Sequence, residues 1–324
     1  MKAFVTGGTG FIGINLIHLL AEKGWEITVL HRKTSNLNPV KLPGIQFQEG
    51  DVTNFASIIK AIPEGTDVIF NLAASTNTWS KNNKQQTEIN NLGTQNMVNA
   101  ALQKKVKRFI HTSSIVAYGI HDAEINENTP SNAEKLDFNY SITKFQSEQI
   151  VKNAVKKGLD AVILNPANVI GPYDYQNWVR MFLIINEKGT PGVPSGKASF
   201  CYVKDVANAH ISAFKSGKIG ENYLLGGPAH SYIEVINKIE TLLNKKVSQK
   251  VTPDFLLKVF AGINNSISAI TSKKPTLTPE EVILLTARMT CKSQKAVADL
   301  NYKISDLDFM LQSTFEWLKS EKKI

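Results

Sequence analysis

Residues 5–13, which read VTGGTGFIG, constrain the fold more than any other stretch of the chain. They follow a short apolar run that predicts a strand, and they open a segment whose apolar residues have helical spacing. Glycine destabilises regular structure, so four glycines within these positions indicate a strand-to-helix turn whose backbone must stay bare.

Three of these glycines form the pattern G-x-x-G-x-x-G. In a strand–turn–helix unit, the first permits the tight turn, the second lets a pyrophosphate approach the backbone, and the third lets helix and strand pack closely. The N–H groups and the dipole of the helix N-terminus also favour a phosphate there. An ordinary glycine-rich turn is the alternative. The residues expected to form a dinucleotide site are Thr6, Gly7, Gly10, Phe11, Ile12 and Gly13.

The predicted second strand ends in the basic sequence HRK. At this place an NAD-binding unit usually has an acidic residue that holds the ribose 2′-hydroxyl. Here His31, Arg32 and Lys33 stand in its place. A guanidinium pairs with a 2′-phosphate, whereas a carboxylate would repel it. We therefore expect NADP(H) to be the preferred cofactor, with NAD(H), or a solvated basic loop, as the alternative.

Strand and helix patterns alternate along the first half of the chain. This alternation predicts an α/β fold with a doubly wound parallel sheet covered by helices on both faces. Residues 189–196, rich in Gly and Pro, predict a loop, and helical patterns dominate from Tyr232 onward. We predict a dinucleotide-binding domain of residues 1–165, to which residues 199–226 return. Residues 166–198 and 227–324 would form a smaller, mostly helical C-terminal substrate lobe.

The sequence YSITK places Tyr140 and Lys144 four residues apart on a predicted helix, hence on one face. A nearby lysine charge is expected to lower the tyrosine pKa from its ordinary value of about 10, which makes the phenol a usable proton donor or acceptor. Ser114 ends a predicted strand at the sheet edge where ligands bind. The alternatives to a catalytic role are that Tyr140 and Lys144 are ordinary surface residues of a helix and that Ser114 caps a turn.

Eight motifs occur in order over nearly the whole chain: TGGTGFIG, GDVTN, NLAA, NNLGTQNMVNAA, TSSIVAYG, YSITK, NPANVIGP and YVKDVANAH. In these motifs the chain resembles extended short-chain dehydrogenase/reductases of the NAD-dependent epimerase/dehydratase superfamily. The resemblance implies a Rossmann-type fold and a catalytic triad of Ser114, Tyr140 and Lys144. Tyr140 and Lys144 would also contact the cofactor. The other cofactor contacts that the resemblance implies are Asp51, Val52, Leu72, Ala73, Ala74, Asn90, Thr112, Pro166, Ala167, Asn168 and Val169.

Longer segments resemble the dihydroflavonol-4-reductase-like branch: NTWSKNN, DVANAHISAFKSGKIGENYLLGG, LTPEEVILLTARM and SQKAVADLNYKISDLDFMLQSTFEWL. This resemblance favours a ketone or aldehyde reductase. Together with the basic HRK segment, it predicts an NADP-dependent oxidoreductase whose substrate is a hydrophobic or aromatic small molecule. The aromatic residues of the second half of the chain could line a substrate pocket, but such residues are also typical of a hydrophobic core. The apolar segment FLLKVFAGI is open to three interpretations: a lid over the substrate, a dimer contact or a buried helix. The candidate substrate residues are Ser75, Trp79, Ser114, Tyr173 and Trp178.

Two departures from the family pattern stand out. Sugar-nucleotide epimerases usually carry an arginine just before the strand FCYV, where this chain has only Lys197 as a cation. An NAD-dependent nucleotide-sugar epimerase or dehydratase is therefore the alternative function. A nucleotide-sensing regulator is a third alternative, which the complete Ser–Tyr–Lys set disfavours. The family also often has arginine at the position of Asn165.

Composition narrows the classes of partner. The net charge is +9, but the basic residues are scattered, so we expect no nucleic-acid partner. The histidines and the two cysteines lack metal-ligand spacing, so we expect no metal and a reduced, cytoplasmic setting. We expect no membrane span and no signal peptide. The expected partner is a small-molecule carbonyl substrate, and a homodimer is left open.

Overall fold

The computed structural model describes residues 1–271 and 273–324. Its strands are β1 (Lys2–Thr6), β2 (Glu26–His31), β3 (Ile45–Glu49), β4 (Val68–Asn71), β5 (Arg108–Thr112), β6 (Ala161–Pro166), β7 (Asn168–Ile170), β8 (Lys197–Tyr202), β9 (Asn222–Leu225), β10 (Ala229–Ser231) and β11 (Arg288–Met289).

The α-helices alternate with these strands over most of the chain. They are α1 (Phe11–Glu22), α2 (Phe55–Ala61), α3 (Asn83–Thr87), α4 (Gly93–Gln103), α5 (Asn139–Val155), α6 (Trp178–Lys188), α7 (Val203–Ser216), α8 (Tyr232–Leu242), α9 (Asp254–Thr271), α10 (Pro279–Thr286), α11 (Gln294–Leu300) and α12 (Leu307–Ser320). A π-helical turn, Glu88–Leu92, joins α3 to α4.

The central sheet has seven parallel strands in the order β3-β2-β1-β4-β5-β6-β9. The strands β4 and β6 are buried along their whole length, as expected for a parallel sheet covered on both faces. Helices α1 and α7 pack together on one face, and α4 packs against α2 and α5 on the other. The predicted doubly wound α/β sheet is therefore confirmed.

The strand order reverses between β1 and β4, because the chain crosses back over the sheet after β3. At such a switch point the two neighbouring loops diverge, and a crevice opens at the carboxyl ends of the strands. Thr6 and Asn71 end these two strands. The glycine turn follows Thr6, so the topology places it at this crevice.

The second half of the chain adds a small sheet and several helices. Strand β8 pairs with β7, β10 and β11, and helices α6, α8 and α12 pack their apolar faces into the same core. The two- and three-residue strands were not anticipated. The predicted domain boundaries stay predictions: β9 belongs to the large sheet, whereas residues 199–202 belong to the small one. Within the described ranges, no helix is long and apolar enough to cross a membrane.

Candidate active site

The turn between β1 and α1 has the close backbone contacts that its glycines predict. Gly7 has a φ of +66°, and a side chain there would meet the Ala73 amide nitrogen at 2.6 Å. A side chain on Gly13 would overlap the Gly7 carbonyl oxygen. Both glycines are therefore required by packing, because the turn lies against the loop after β4 and the first turn of α1 lies against the β1–α1 turn.

Gly10 differs from these two glycines. It is exposed, has a φ of −87°, and a methyl group there would approach only the Gly7 carbonyl oxygen, at 3.2 Å. None of the described side chains caps the N-terminus of α1, where the first N–H groups of a helix lack partners. A bare, uncapped helix N-terminus fits an anionic pyrophosphate, so these residues fit the dinucleotide that the pattern predicts.

The basic residues after β2 lie at the same edge of the sheet. His31 ends β2, and both Arg32 and Lys33 are exposed. The Arg32 amide donates to the Ser35 hydroxyl oxygen at 3.1 Å, and the Ser35 amide donates to the Arg32 carbonyl at 2.9 Å. This tight turn fixes the Arg32 backbone while its side chain faces solvent.

Other predicted cofactor residues follow neighbouring strands. One Asp51 carboxylate oxygen accepts from the Thr53 amide and hydroxyl, and the Val52 carbonyl accepts from the Asn96 amide side chain. Residues 166–169 span the carboxyl end of β6 and the start of β7. All of these lie where strands of the central sheet end.

The loop after β4, residues 72–74, is held against the glycine turn. The Thr6 hydroxyl donates to the Asn71 side chain at 2.8 Å and accepts from the Ala73 amide at 3.2 Å. Farther along, the buried Asn90 side chain donates to the Ser75 carbonyl and accepts from the Ser75 amide. Asn90 lies in the π-helical turn, a feature found frequently at functional sites.

The predicted triad residues come together at the carboxyl end of β5. Ser114 follows β5, and its hydroxyl lies close enough to the Tyr140 phenol on α5 to lower the pKa of that phenol. Lys144, one turn later and buried, has its Nζ 6.0 Å from the centroid of the Tyr140 ring and donates to the Thr112 carbonyl at 3.0 Å. Ser114 also accepts from the Val116 amide at 3.4 Å, so the capping alternative is realised alongside the tyrosine contact.

Burial dominates the ionisation of the triad. Burial raises the pKa of Tyr140 to about 12, although the nearby Ser114 hydroxyl opposes this. Burial lowers the pKa of Lys144 to about 8, and the negative charge of Glu148 opposes that shift. The expectation of a tyrosine pKa lowered by Lys144 is therefore not met in this structure: desolvation of the phenolate raises the pKa, and Ser114 is the group that opposes the shift.

A buried carboxylate beside the triad was missed from sequence. Glu148 accepts from the Ser113 hydroxyl and the Asn165 amide group at 2.5 Å, and from the Asn222 amide group at 2.9 Å. Asn165 also donates to the Ser114 carbonyl at 3.0 Å. Asn165 thus serves, in place of the family's frequent arginine, as the donor that links this carboxylate to the backbone of the triad serine. Its spacing four residues after Lys144 could have identified Glu148.

A second buried chain of hydrogen bonds joins the glycine turn to the triad helix. Thr6 bonds Asn71, whose amide nitrogen donates to His111 Nδ1 at 3.1 Å. Burial lowers the pKa of His111 well below its ordinary value, so the neutral ring carries its proton on Nε2 and donates to Ser147 at 3.2 Å. Ser147 donates to the Lys144 carbonyl at 2.8 Å. These hydrogen bonds fix the position of the glycine turn relative to the triad helix α5.

Apart from Ser114 of the triad, the predicted substrate residues divide into two groups. Ser75 and Trp79 lie in the loop after β4, and Ser75 is tied to the triad helix because Asn90 bonds both Ser75 and Thr143 of α5. Both side chains are half-buried.

Tyr173 and Trp178 lie in aromatic groups. Tyr173 packs against His18 at 5.2 Å and Trp317 at 5.7 Å, measured between ring centroids, and therefore lies between α1 and α12. Trp178 stacks on Tyr232 at 5.9 Å. Both rings are packed against other aromatic rings and are also partly exposed. Their role in substrate binding therefore stays a prediction.

The chain is similar in sequence and in fold to known proteins. A profile described as "NAD dependent epimerase/dehydratase family" matches residues 3–226. A Synechocystis sp. protein named "Putative dihydroflavonol 4-reductase" is 27% identical and covers 98% of this chain and 94% of its own. "Sterol demethylase protein B" of Methylococcus capsulatus is 27% identical, with 82% of each chain covered. The structure of dTDP-glucose 4,6-dehydratase from Bacillus anthracis in complex with NAD has a TM-score of 0.79 at 21% identity, covering 100% of this chain and 98% of that one.

Proposed function

Because the chain belongs to the NAD-dependent epimerase/dehydratase family, as its motifs predict, we propose that it is an NADP-dependent reductase. Its substrate would be a ketone or aldehyde of a hydrophobic or aromatic small molecule. The observation that carries this proposal is the pairing of the Ser114 and Tyr140 hydroxyls beside the buried Lys144. This group lies at the same sheet edge as the uncapped helix N-terminus after Gly10.

When bound, the cofactor supplies hydride to the carbonyl carbon of the substrate. The first N–H groups of α1 would hold its pyrophosphate, and Arg32 would pair with its 2′-phosphate. The exposed Arg32 side chain at the end of β2 supports this preference, because a guanidinium binds a phosphate through two parallel hydrogen bonds.

Tyr140 would supply the proton that the carbonyl oxygen takes up. Its raised pKa keeps the phenol protonated at neutral pH, which suits a proton donor in the reductive direction. The Ser114 hydroxyl would donate a hydrogen bond to the same oxygen. With a pKa of about 8, Lys144 is mostly protonated at neutral pH, and its charge stabilises the negative charge that develops on the two oxygens.

The substrate class rests on less direct support. Two relatives are named for a dihydroflavonol and a sterol activity, both of which concern largely apolar carbon skeletons. The half-buried Trp79, in the loop joined through Asn90 to the triad helix, offers an apolar ring. The absence of an arginine at the start of β8, where Lys197 stands, disfavours a nucleotide-sugar diphosphate.

A titration with NADPH and NADH, followed by nicotinamide fluorescence, tests the cofactor proposal. We expect tighter NADPH binding, and Arg32→Ala should weaken it about 10- to 100-fold with little effect on NADH, because one charge-assisted contact of about 1.5–3 kcal/mol is lost. The matched control is Lys23→Ala, an exposed cation at the far end of α1. Tighter binding of NADH, or an unchanged NADPH affinity in Arg32→Ala, would contradict the NADP preference.

Substrate class is tested separately with a panel of hydrophobic ketones and aldehydes and a panel of nucleotide sugars. Stoichiometric NADPH oxidation with members of the first panel is the expected result. Conversion of a nucleotide sugar without net cofactor consumption would instead favour the epimerase or dehydratase alternative.

A further inference from the structure

Helix α9 presents an apolar face to solvent. Among its described side chains, six apolar ones are 47% to 64% exposed: Phe255, Leu256, Val259, Phe260, Ile263 and Ile267. At 100° per residue they occupy one continuous arc of about 140°. Scattered exposed apolar residues are ordinary, but a contiguous stripe of this kind marks an interaction surface.

The opposite face of α9 is already used for packing. Ala261 and Ser268 are buried, and Leu257 approaches the loop at Gly192. The Asp254 carboxylate accepts from the Ser195 hydroxyl at 2.6 Å. The helix therefore docks on the protein through one face and leaves the stripe uncovered by any other described element, so the interpretation of the segment as a plain buried helix is wrong.

Basic residues lie at one edge of the stripe and beyond both ends of the helix. Between residues 244 and 276 the sequence has six lysines and one acidic residue, Asp254. Lys258 lies on the helix beside the apolar arc, Lys250 precedes the helix and Lys273 and Lys274 follow it, and all four are exposed. An apolar helix face bordered by lysines complements a surface that is apolar inside and anionic outside, which is the surface of a bilayer containing anionic lipid.

A second copy of this chain complements the stripe less well. Two-fold pairing of identical faces would place each stripe, with the lysines near it, against a face that carries the same positive charges. Like charges placed together at an interface disfavour association. Charge complementarity therefore selects an anionic membrane surface over a homodimer.

We propose that α9 is a membrane-surface helix, which lies in the plane of the headgroups of an anionic bilayer with the six-residue stripe inserted. The proposal does not depend on the proposed reductase function. It concerns attachment to one leaflet and requires no membrane span.

Vesicle flotation with the full-length protein tests this proposal. We expect binding to phosphatidylcholine–phosphatidylserine vesicles, weaker binding to phosphatidylcholine alone, and release as salt concentration rises. Phe260→Ser/Ile263→Ser should lower the partition coefficient at least about tenfold. The matched control, Ile219→Ser/Val297→Ser, removes two apolar side chains exposed elsewhere, at 56% and 43%, and should bind as wild type does.

Charge and self-association are separated by two further measurements. Lys258→Glu should weaken binding to the anionic vesicles, whereas Lys23→Glu should not. Thermal unfolding of each variant excludes a general loss of folding. Three results would overturn the proposal. The first is absence of binding to anionic vesicles, and the second is an equal loss of vesicle binding in the Ile219/Val297 control. The third is a dimer in solution that Phe260→Ser/Ile263→Ser dissociates, together with absence of vesicle binding.

Discussion

Replacing Asn165 with alanine should destabilise the protein severely and in a pH-dependent way. Asn165 is fully buried and donates to Glu148 and to the Ser114 carbonyl, while its oxygen accepts from Asn222 at 2.9 Å. A hydrogen bond to a charged group contributes about 1.5–3 kcal/mol, and each buried group left without a partner costs about 1–3 kcal/mol. Because these contributions overlap, we expect the free energy of unfolding to fall by about 3–5 kcal/mol.

The pH dependence follows from the carboxylate. Burial raises the pKa of Glu148, and the hydrogen bonds from Ser113, Asn165 and Asn222 oppose that shift; losing one of them raises the pKa further. A carboxyl group whose pKa is higher in the folded than in the unfolded protein stabilises the fold at pH values below its unfolded-state pKa of about 4.3. This stabilisation is lost as the pH rises through the folded-state pKa. The destabilisation caused by Asn165→Ala should therefore grow from acidic to neutral pH.

Urea unfolding at a series of pH values measures this effect. Asn208→Ala, which removes an exposed asparagine whose side chain donates to the Lys204 carbonyl of its own helix, is the matched control. In the background of Glu148→Gln, which cannot titrate, the growth with pH should disappear. A loss below about 1 kcal/mol, or one that is equal at every pH, would refute the reasoning.

Two further predictions concern the glycine turn and the lysine. Gly13→Ala should lower Tm by several degrees, since its methyl group would overlap the Gly7 carbonyl oxygen. Gly10→Ala should leave Tm unchanged and weaken NADPH binding. Equal losses of Tm in thermal unfolding of the two variants would contradict this distinction. Because burial lowers the pKa of Lys144 to about 8, the rate of carbonyl reduction should fall as pH rises through that value. A pH–rate profile that stays flat to about pH 10 would contradict the role of the lysine charge.

The features that sequence predicts well are local. The strand–turn–helix unit needs Gly7, Gly10 and Gly13 within one short stretch, and the pairing of Tyr140 with Lys144 needs only the helical repeat. Alternating strand and helix patterns also predict the parallel sheet. In each case the physical cause acts within a few residues, so the sequence pattern carries it.

The features that sequence misses depend on distant residues that meet only in the fold. Glu148 and Asn222 are 74 positions apart, and they meet because β9 pairs with β6 and brings Asn222 beside Asn165. The raised pKa of Tyr140 depends on burial by the assembled chain. Likewise, helix α9 has apolar residues on two faces, and only its docking through Ala261 decides which face stays exposed.

Turnover of Tyr140→Phe tests the central claim most directly. NADPH oxidation with a reactive carbonyl from the panel would be compared between wild type, Tyr140→Phe and Tyr302→Phe, a buried tyrosine outside the site. We predict that Tyr140→Phe loses about 10²- to 10⁴-fold in turnover, since general acid catalysis contributes this much, while its NADPH affinity and the activity of Tyr302→Phe stay unchanged. Undiminished turnover in Tyr140→Phe would contradict the assignment of Tyr140 as the proton donor.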